Sequence, residues 1–273
     1  MKTLTSNLIS LCGINGGTVW DRKDGSVYNP IGFSTIEILN VFADLKIDYK
    51  DENILNEALK KLISYYDIKT RLFKFADKSA KLPCITAKIL SVLSKFNYPF
   101  SEKESCYQYF FDSQQEDGGW RCATVKIGKS PETDASNPGT TLYVLDSLRY
   151  RKNTKNEMEQ LEKGVEFLLD HWVIKKPLGP CKFGIGSTFM KTEYPFIRYN
   201  IFFYSYVLSF YPKALKDKRF QQVLNELMKY ETQTGIIINN PHKSWKKILY
   251  QDSQECELAN NKYVELKQNI SKS

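Results

Sequence analysis

Histidine is nearly absent from this chain: His171 and His242 are the only two in 273 residues. That scarcity excludes a metal or catalytic centre built from several imidazoles. The six cysteines (12, 84, 106, 122, 181 and 256) lie far apart with no Cys-x-x-Cys pair, which argues against a zinc ribbon or a small disulfide scaffold. No stretch approaches the roughly 20 apolar residues of a membrane helix, so no transmembrane segment is expected. The apolar run at 4–11 is broken by Gly13, too soon for a secretory signal. A cytoplasmic protein with reduced thiols is the expectation. No linker rich in proline, glycine or serine interrupts the sequence, so residues 1–273 read as one domain. Strand signals are sparse, with 125–127 and 235–238 at most edge pieces.

The aromatic content is high for a soluble chain, with 17 Tyr, 16 Phe and 4 Trp. Such rings either line an apolar cavity or fill a core. The net charge of +8 comes from scattered lysines, densest at 243–247. A dispersed lysine surface predicts no nucleic-acid partner.

Helical periodicity runs through most of the chain. Residues 35–45 put Ile38, Leu39, Phe42 and Leu45 on one face, and 85–96 do the same with Ile85, Ile89, Val92 and Leu93. Residues 140–148 and 202–210 repeat the pattern. Each run is followed by a second amphipathic segment, at 53–66, 102–114, 157–171 and 218–230. The chain therefore predicts an array of αα-hairpins with a period of about 50 residues, covering about 30–66, 83–120, 137–171 and 196–230. Residues 3–20 and 254–270 read as end fragments.

The second hairpin ends in Gln114-Gln115-Glu116-Asp117-Gly118-Gly119-Trp120. Gly118 and Gly119 allow the positive φ that a helix exit needs. Trp120 is expected to fold back over the helix end with its indole N–H on a backbone acceptor. Gln114, Gln115 and Asp117 would satisfy freed backbone groups. Gly16-Gly17-Thr18-Val19-Trp20 is a degenerate echo of the turn.

Gln114, Asp117, Gly118, Gly119 and Trp120 resemble the QW motif of the prenyltransferase and terpenoid cyclase superfamily, which includes squalene cyclases and protein prenyltransferase β-subunits. The starts Pro83-Cys84 and Asn137-Pro138-Gly139 are similar to that superfamily's inner-helix openings. The resemblance covers most of residues 1–240 and implies an all-α protein, an α/α toroid in which inner helices surround a cavity. It looks most like the small prenyltransferase-like members of unknown activity. The chain departs from the enzymes in lacking the Asp-x-Asp-Asp acid of the cyclases, an Asp-Asp-x-x-Asp magnesium site and a recognisable zinc-ligand set. No cofactor is therefore predicted, and zinc, which the resemblance would allow, has no supporting ligand set.

Within such a toroid Cys84, beside a helix N-terminus, is the candidate for a depressed thiol pKa, and Cys84 or Asp134 the candidate reactive group. The aromatic-rich stretch 193–206 supplies candidate ligand contacts: Arg198 for an anionic head, with Tyr194, Tyr199, Asn200 and Phe203 around it. His171 reads as a charge complementing a helix C-terminus, and His242 as a surface turn. The function expected is binding of a small apolar or amphiphilic, isoprenoid-type ligand in the central cavity, with transferase chemistry if the chain is an enzyme. The alternative is a non-catalytic helical scaffold for a peptide or protein partner. Glycan processing would require carboxylates paired across the cavity, for which Asp117 and Asp134 are the only hints.

Overall fold

A computed structural model describes residues 2–123, 135–179, 181–250 and 253–272. The described chain is mostly helical, with 51% helix and 4% strand. Four helical pairs account for most of it: α2 (Thr35–Asp44) with α3 (Asn53–Ser64), α4 (Pro83–Lys95) with α5 (Lys103–Ser113), α6 (Pro138–Leu148) with α7 (Lys155–Ile174), and α8 (Ile201–Leu208) with α10 (Lys218–Met228). A short α1 (Lys2–Ser10) precedes them. The one-turn α9 (Pro212–Leu215) joins the last pair, and α11 (Lys243–Trp245) and α12 (Glu257–Ser271) follow. A two-stranded hairpin, β1 (Tyr66–Asp67) and β2 (Leu72–Phe73), connects the first two pairs.

The two helices of each pair differ in kind. The second helix is amphipathic: α3 buries Leu55, Ala58, Leu59 and Leu62, and α10 buries Phe220, Val223, Leu224 and Leu227. That spacing makes a single apolar stripe, with the opposite face left to water. The first helix is buried on nearly all sides. Every residue of α6 and α8 is buried, including Thr140, Thr141, Asp146 and Ser205. A helix buried all round needs neighbours on every flank, and α4 packs against both α2 and α6, α6 against α8, and α8 against α12. Each amphipathic helix covers its own partner from outside.

The Gly-Gly-Trp turn fastens one pair to the next. The Trp120 indole N–H donates to Phe110 O at 2.7 Å, back on the helix it terminates. Its ring lies over α7, where a methyl group on Gly164 would come within 2.7 Å of it. The Gln114 amide donates to Gly118 O and to Gln160 O of α7, both at 2.7 Å. Asp117 accepts from Gly119 N–H and from the Ser136 hydroxyl, just before α6. Only Gly118 takes a positive φ, +85°. Gly119 is instead required by space, since a Cβ there would lie 2.5 Å from that of Ser136. Trp20 repeats the arrangement, donating to Leu8 O at 2.9 Å.

Helix starts follow local capping. Thr154 and Glu157 form a capping box at α7, and Asn137 caps α6 through Thr140 N–H. The periodic run at 202–210 corresponds to α8, whose start at Ile201 is fixed by the Asn200 carboxamide accepting from Phe202 N–H and Phe203 N–H. Of the two edge pieces, 125–127 lies outside the described residues. Near 235–238 there is one bridge, Glu231 with Ile236.

The end of the chain returns to its beginning. The Trp245 indole donates to Gly32 O at 2.6 Å and its ring packs against Phe33. Lys262 on α12 pairs with Asp44 at the end of α2, at 2.7 Å.

A candidate functional site among the buried helices

Buried helices that carry polar residues must satisfy them inside the protein. On α2, Glu37, Asn40 and Asp44 share one face, and on α4 Lys88, Ser91 and Lys95 do the same, at three-, four- and seven-residue spacing. These stripes meet Tyr143 and Asp146 of α6 and Phe196, Phe203 and Tyr206 around α8, enclosing a narrow cavity of about 40 Å³.

Most charges on its walls are neutralised by neighbours. Asp44 accepts from the Tyr194 hydroxyl at 2.9 Å and pairs with Lys262 and, at 3.5 Å, with Lys95. Asp146 accepts from the Ser91 hydroxyl at 2.6 Å and from Arg149 at 2.8 Å. Burial would raise both carboxyls, but the lysines around Asp44, and Arg149 and Lys95 beside Asp146, hold them below the ordinary carboxylate value. Arg149 also stacks on Tyr150, Tyr206 and Phe210.

Glu37 is different. Its Oε2 completes the capping box of α2, accepting from Ser34 N–H at 3.0 Å with the Ser34 hydroxyl 2.5 Å away. Its Oε1 is buried without a hydrogen-bond partner. Burial pushes the Glu37 carboxyl up, against the opposing pull of Lys88. Lys88, itself buried, holds its ammonium 4.3 Å from the centre of the Tyr143 ring and 5.1 Å from that of Tyr28. It attracts the Glu37 carboxylate without bonding to Oε1. The cavity thus presents an acceptor and a cation that do not complete each other.

Two residues singled out in the sequence belong to this site. Phe203 lines the cavity, stacked on Phe196 at 4.9 Å, and Tyr194 supports it through Asp44. Asn200 is the cap of α8. Tyr199 is buried against Phe189 and accepts or donates with His171 Nδ1 at 3.1 Å, outside the cavity lining. Arg198 does not reach the cavity either: its guanidinium closes on the buried Glu193 carboxylate, which removes it as the holder of an anionic head there. Cys84 sits one turn before Lys88, and burial pushes its thiol up to about 11, so the depressed pKa expected from the helix N-terminus is not found. Asp134 lies outside the described residues.

His171 does not act as a charge at the helix terminus. It is fully buried one turn before the end of α7, with Nε2 at 3.0 Å from Lys176 O. Burial lowers its pKa, favouring the neutral ring over a charge at the helix terminus. His242 is half-buried rather than a free surface turn, packed over Gly32. The aromatic stretch divides by face: Phe203 and Tyr206 turn to the cavity, while Tyr204 donates outward to Leu168 O of α7 at 2.8 Å.

Glu37, Lys88 and Asp146 were not singled out by the sequence. The available signal was a polar residue every three or four positions inside otherwise apolar runs. Among the described residues, no group of three or more His, Cys, Asp and Glu side chains is placed to hold a metal ion, and no helix is long and apolar enough to cross a membrane.

No protein-family model matches the chain, and no curated protein does. Among solved structures, a polysaccharide lyase is similar over 53% of this chain and 47% of its own, about half its length, at 13% identity and a TM-score of 0.39.

Proposed function

We propose that the four helical pairs form an α/α toroid closed by α12, and that its central cavity binds a hydroxyl-bearing small molecule, a sugar or related polyol. The ring reading rests on the alternation of fully buried and amphipathic helices and on the return of Trp245 and Lys262 to residues 32–44. The ligand reading rests on one observation: Glu37 Oε1 is buried and unpartnered beside the Lys88 ammonium. A hydroxyl completes both, donating to the carboxylate and accepting from the ammonium. An isoprenoid chain has less to gain, since the walls are charged and polar groups such as Glu37, Asp44, Lys88 and Asp146, which offer partners to hydroxyls and none to a prenyl tail.

The chemistry this arrangement favours is proton transfer. Glu37 is driven toward its neutral form, while Asp146 is kept ionised a short way round the wall, and such divergence of neighbouring carboxyls is how an acid and a base are set apart. The test is thermal unfolding in the presence of a panel of monosaccharides and polyols, with farnesyl diphosphate as the competing probe. A sugar at about 100 times its Kd should stabilise the protein by about 2.7 kcal/mol, and Glu37→Gln and Lys88→Met should abolish the shift. A shift with the prenyl diphosphate alone would sink the proposal, as would none with any compound.

A further inference from the structure

Cys122 and Cys181 are 59 positions apart in sequence, yet their sulfur atoms stand 3.5 Å from each other. Both are free thiols, Cys122 buried and Cys181 exposed. Two elements fix their approach. Cys122 follows the Trp120 turn, whose carbonyl accepts from Asn137 N–H at 2.8 Å at the start of α6. Cys181 sits in a tight hairpin closed by the Leu178–Phe183 bridge. That hairpin rests on the same helix start: a Cβ on Gly139 would lie 2.9 Å from the Phe183 ring, and one on Gly179 would lie 3.2 Å from Asn137.

We propose that Cys122 and Cys181 form a redox-active dithiol that reacts with low-molecular-weight disulfides such as oxidised glutathione. The sulfurs need to approach by about 1.5 Å to reach bonding distance. Roles follow from exposure. The Cys181 thiolate attacks one sulfur of the small disulfide, forming a mixed disulfide and expelling one thiolate. Cys122 then gives up its proton and attacks Cys181 Sγ, forming the internal disulfide and releasing the second thiolate. Two protein thiols are oxidised and one small disulfide is reduced to two thiols. In the dithiol Cys181 donates to Cys122; once Cys181 ionises the Cys122 S–H donates in return, which lowers the Cys181 thiol to about 7 despite partial burial. The same contact raises Cys122, as suits a resolving thiol that attacks second.

The bond would join the loop leaving α5 to the hairpin leaving α7, at the start of α6 and near Cys84. This inference is independent of the sugar-binding proposal. The experiment is incubation of the full chain with oxidised glutathione, followed by intact mass and peptide mapping. The expected product has lost two hydrogens, contains one 122–181 cross-linked peptide, and melts about 5 °C or more higher than the reduced protein. Cys122→Ser should stop at a single glutathione adduct on Cys181, and Cys84→Ser should cross-link as the wild type does. A wild-type protein that stays reduced, that accumulates the mixed disulfide, or that links Cys84 instead would overturn the proposal.

Discussion

Glu37 and the two histidines give this protein two pH responses of opposite sign. Glu37 is raised by burial, so between its unfolded and folded pKa values the native state holds a proton that the unfolded chain has released. Stability falls as pH rises through that window, by up to about 1.4 kcal/mol per pH unit. Glu37→Gln keeps the shape and removes the titration. Its stability relative to the wild type should therefore improve as pH rises from about 4.5, which urea unfolding at stepped pH values would read. His171 and His242 are lowered by burial. Their contribution is complete above the ordinary imidazole pKa of about 6.5 and is lost as pH falls toward their folded values. Because the chain has no third histidine, a His171→Gln, His242→Gln double variant should flatten the stability profile immediately below pH 6.5. A slope unchanged in the double variant would show that the burial of these rings is wrongly described.

At the scale of elements, Gly164 tests how closely successive pairs are fitted. Alanine is favoured over glycine in a helix by about 1 kcal/mol, yet the added methyl meets the Trp120 ring at 2.7 Å. We expect Gly164→Ala to destabilise by about 1–3 kcal/mol. The cost should shrink when Trp120→Phe opens room, a coupling that a double-mutant cycle measures. Additive effects would mean that the ring does not lie over α7. The amphipathic helices are legible in the sequence because their apolar stripes face one way: 53–66 and 218–230 are expected, and Asn53–Ser64 and Lys218–Met228 are found. The Trp120 turn was legible for the same local reason, since a glycine pair and a following tryptophan leave few ways to end a helix. The charged cavity was not. Glu37, Asn40 and Asp44 lie off the apolar positions Ile38, Leu39, Phe42 and Leu45 of this run, and nothing local says that other helices cover them. Arg198 misled in the converse way, as an attractive anion holder whose partner, Glu193, lies five residues away.

At the scale of the whole molecule, the contacts between the first helices and the last 30 residues matter most. Trp245 is fully buried against Phe33 and Gly32, so Trp245→Ala should cost about 3–5 kcal/mol. If the two ends are one cooperative unit, hydrogen exchange should quicken around α2 as well as around α12. Acceleration confined to the C-terminal region would instead indicate an end that packs independently. This long-range closure also lay beyond the sequence: tryptophan at 245 in a lysine-rich segment gave no sign that its acceptor was the carbonyl of Gly32.

The Asp44–Lys262 pair carries a consequence for the order in which the protein is made. Asp44 leaves the ribosome about 200 residues before Lys262, the nearer of its two cations, an interval of roughly 10–40 s at 5–20 residues per second. Throughout that time the cavity wall contributed by α2 lacks its last counter-ion, and the docking partner for Gly32 and Phe33 does not yet exist. Until then Asp44 has Lys95 of α4 as its cation, at 3.5 Å. Final packing of this wall therefore waits for α12, which brings Lys262 to Asp44.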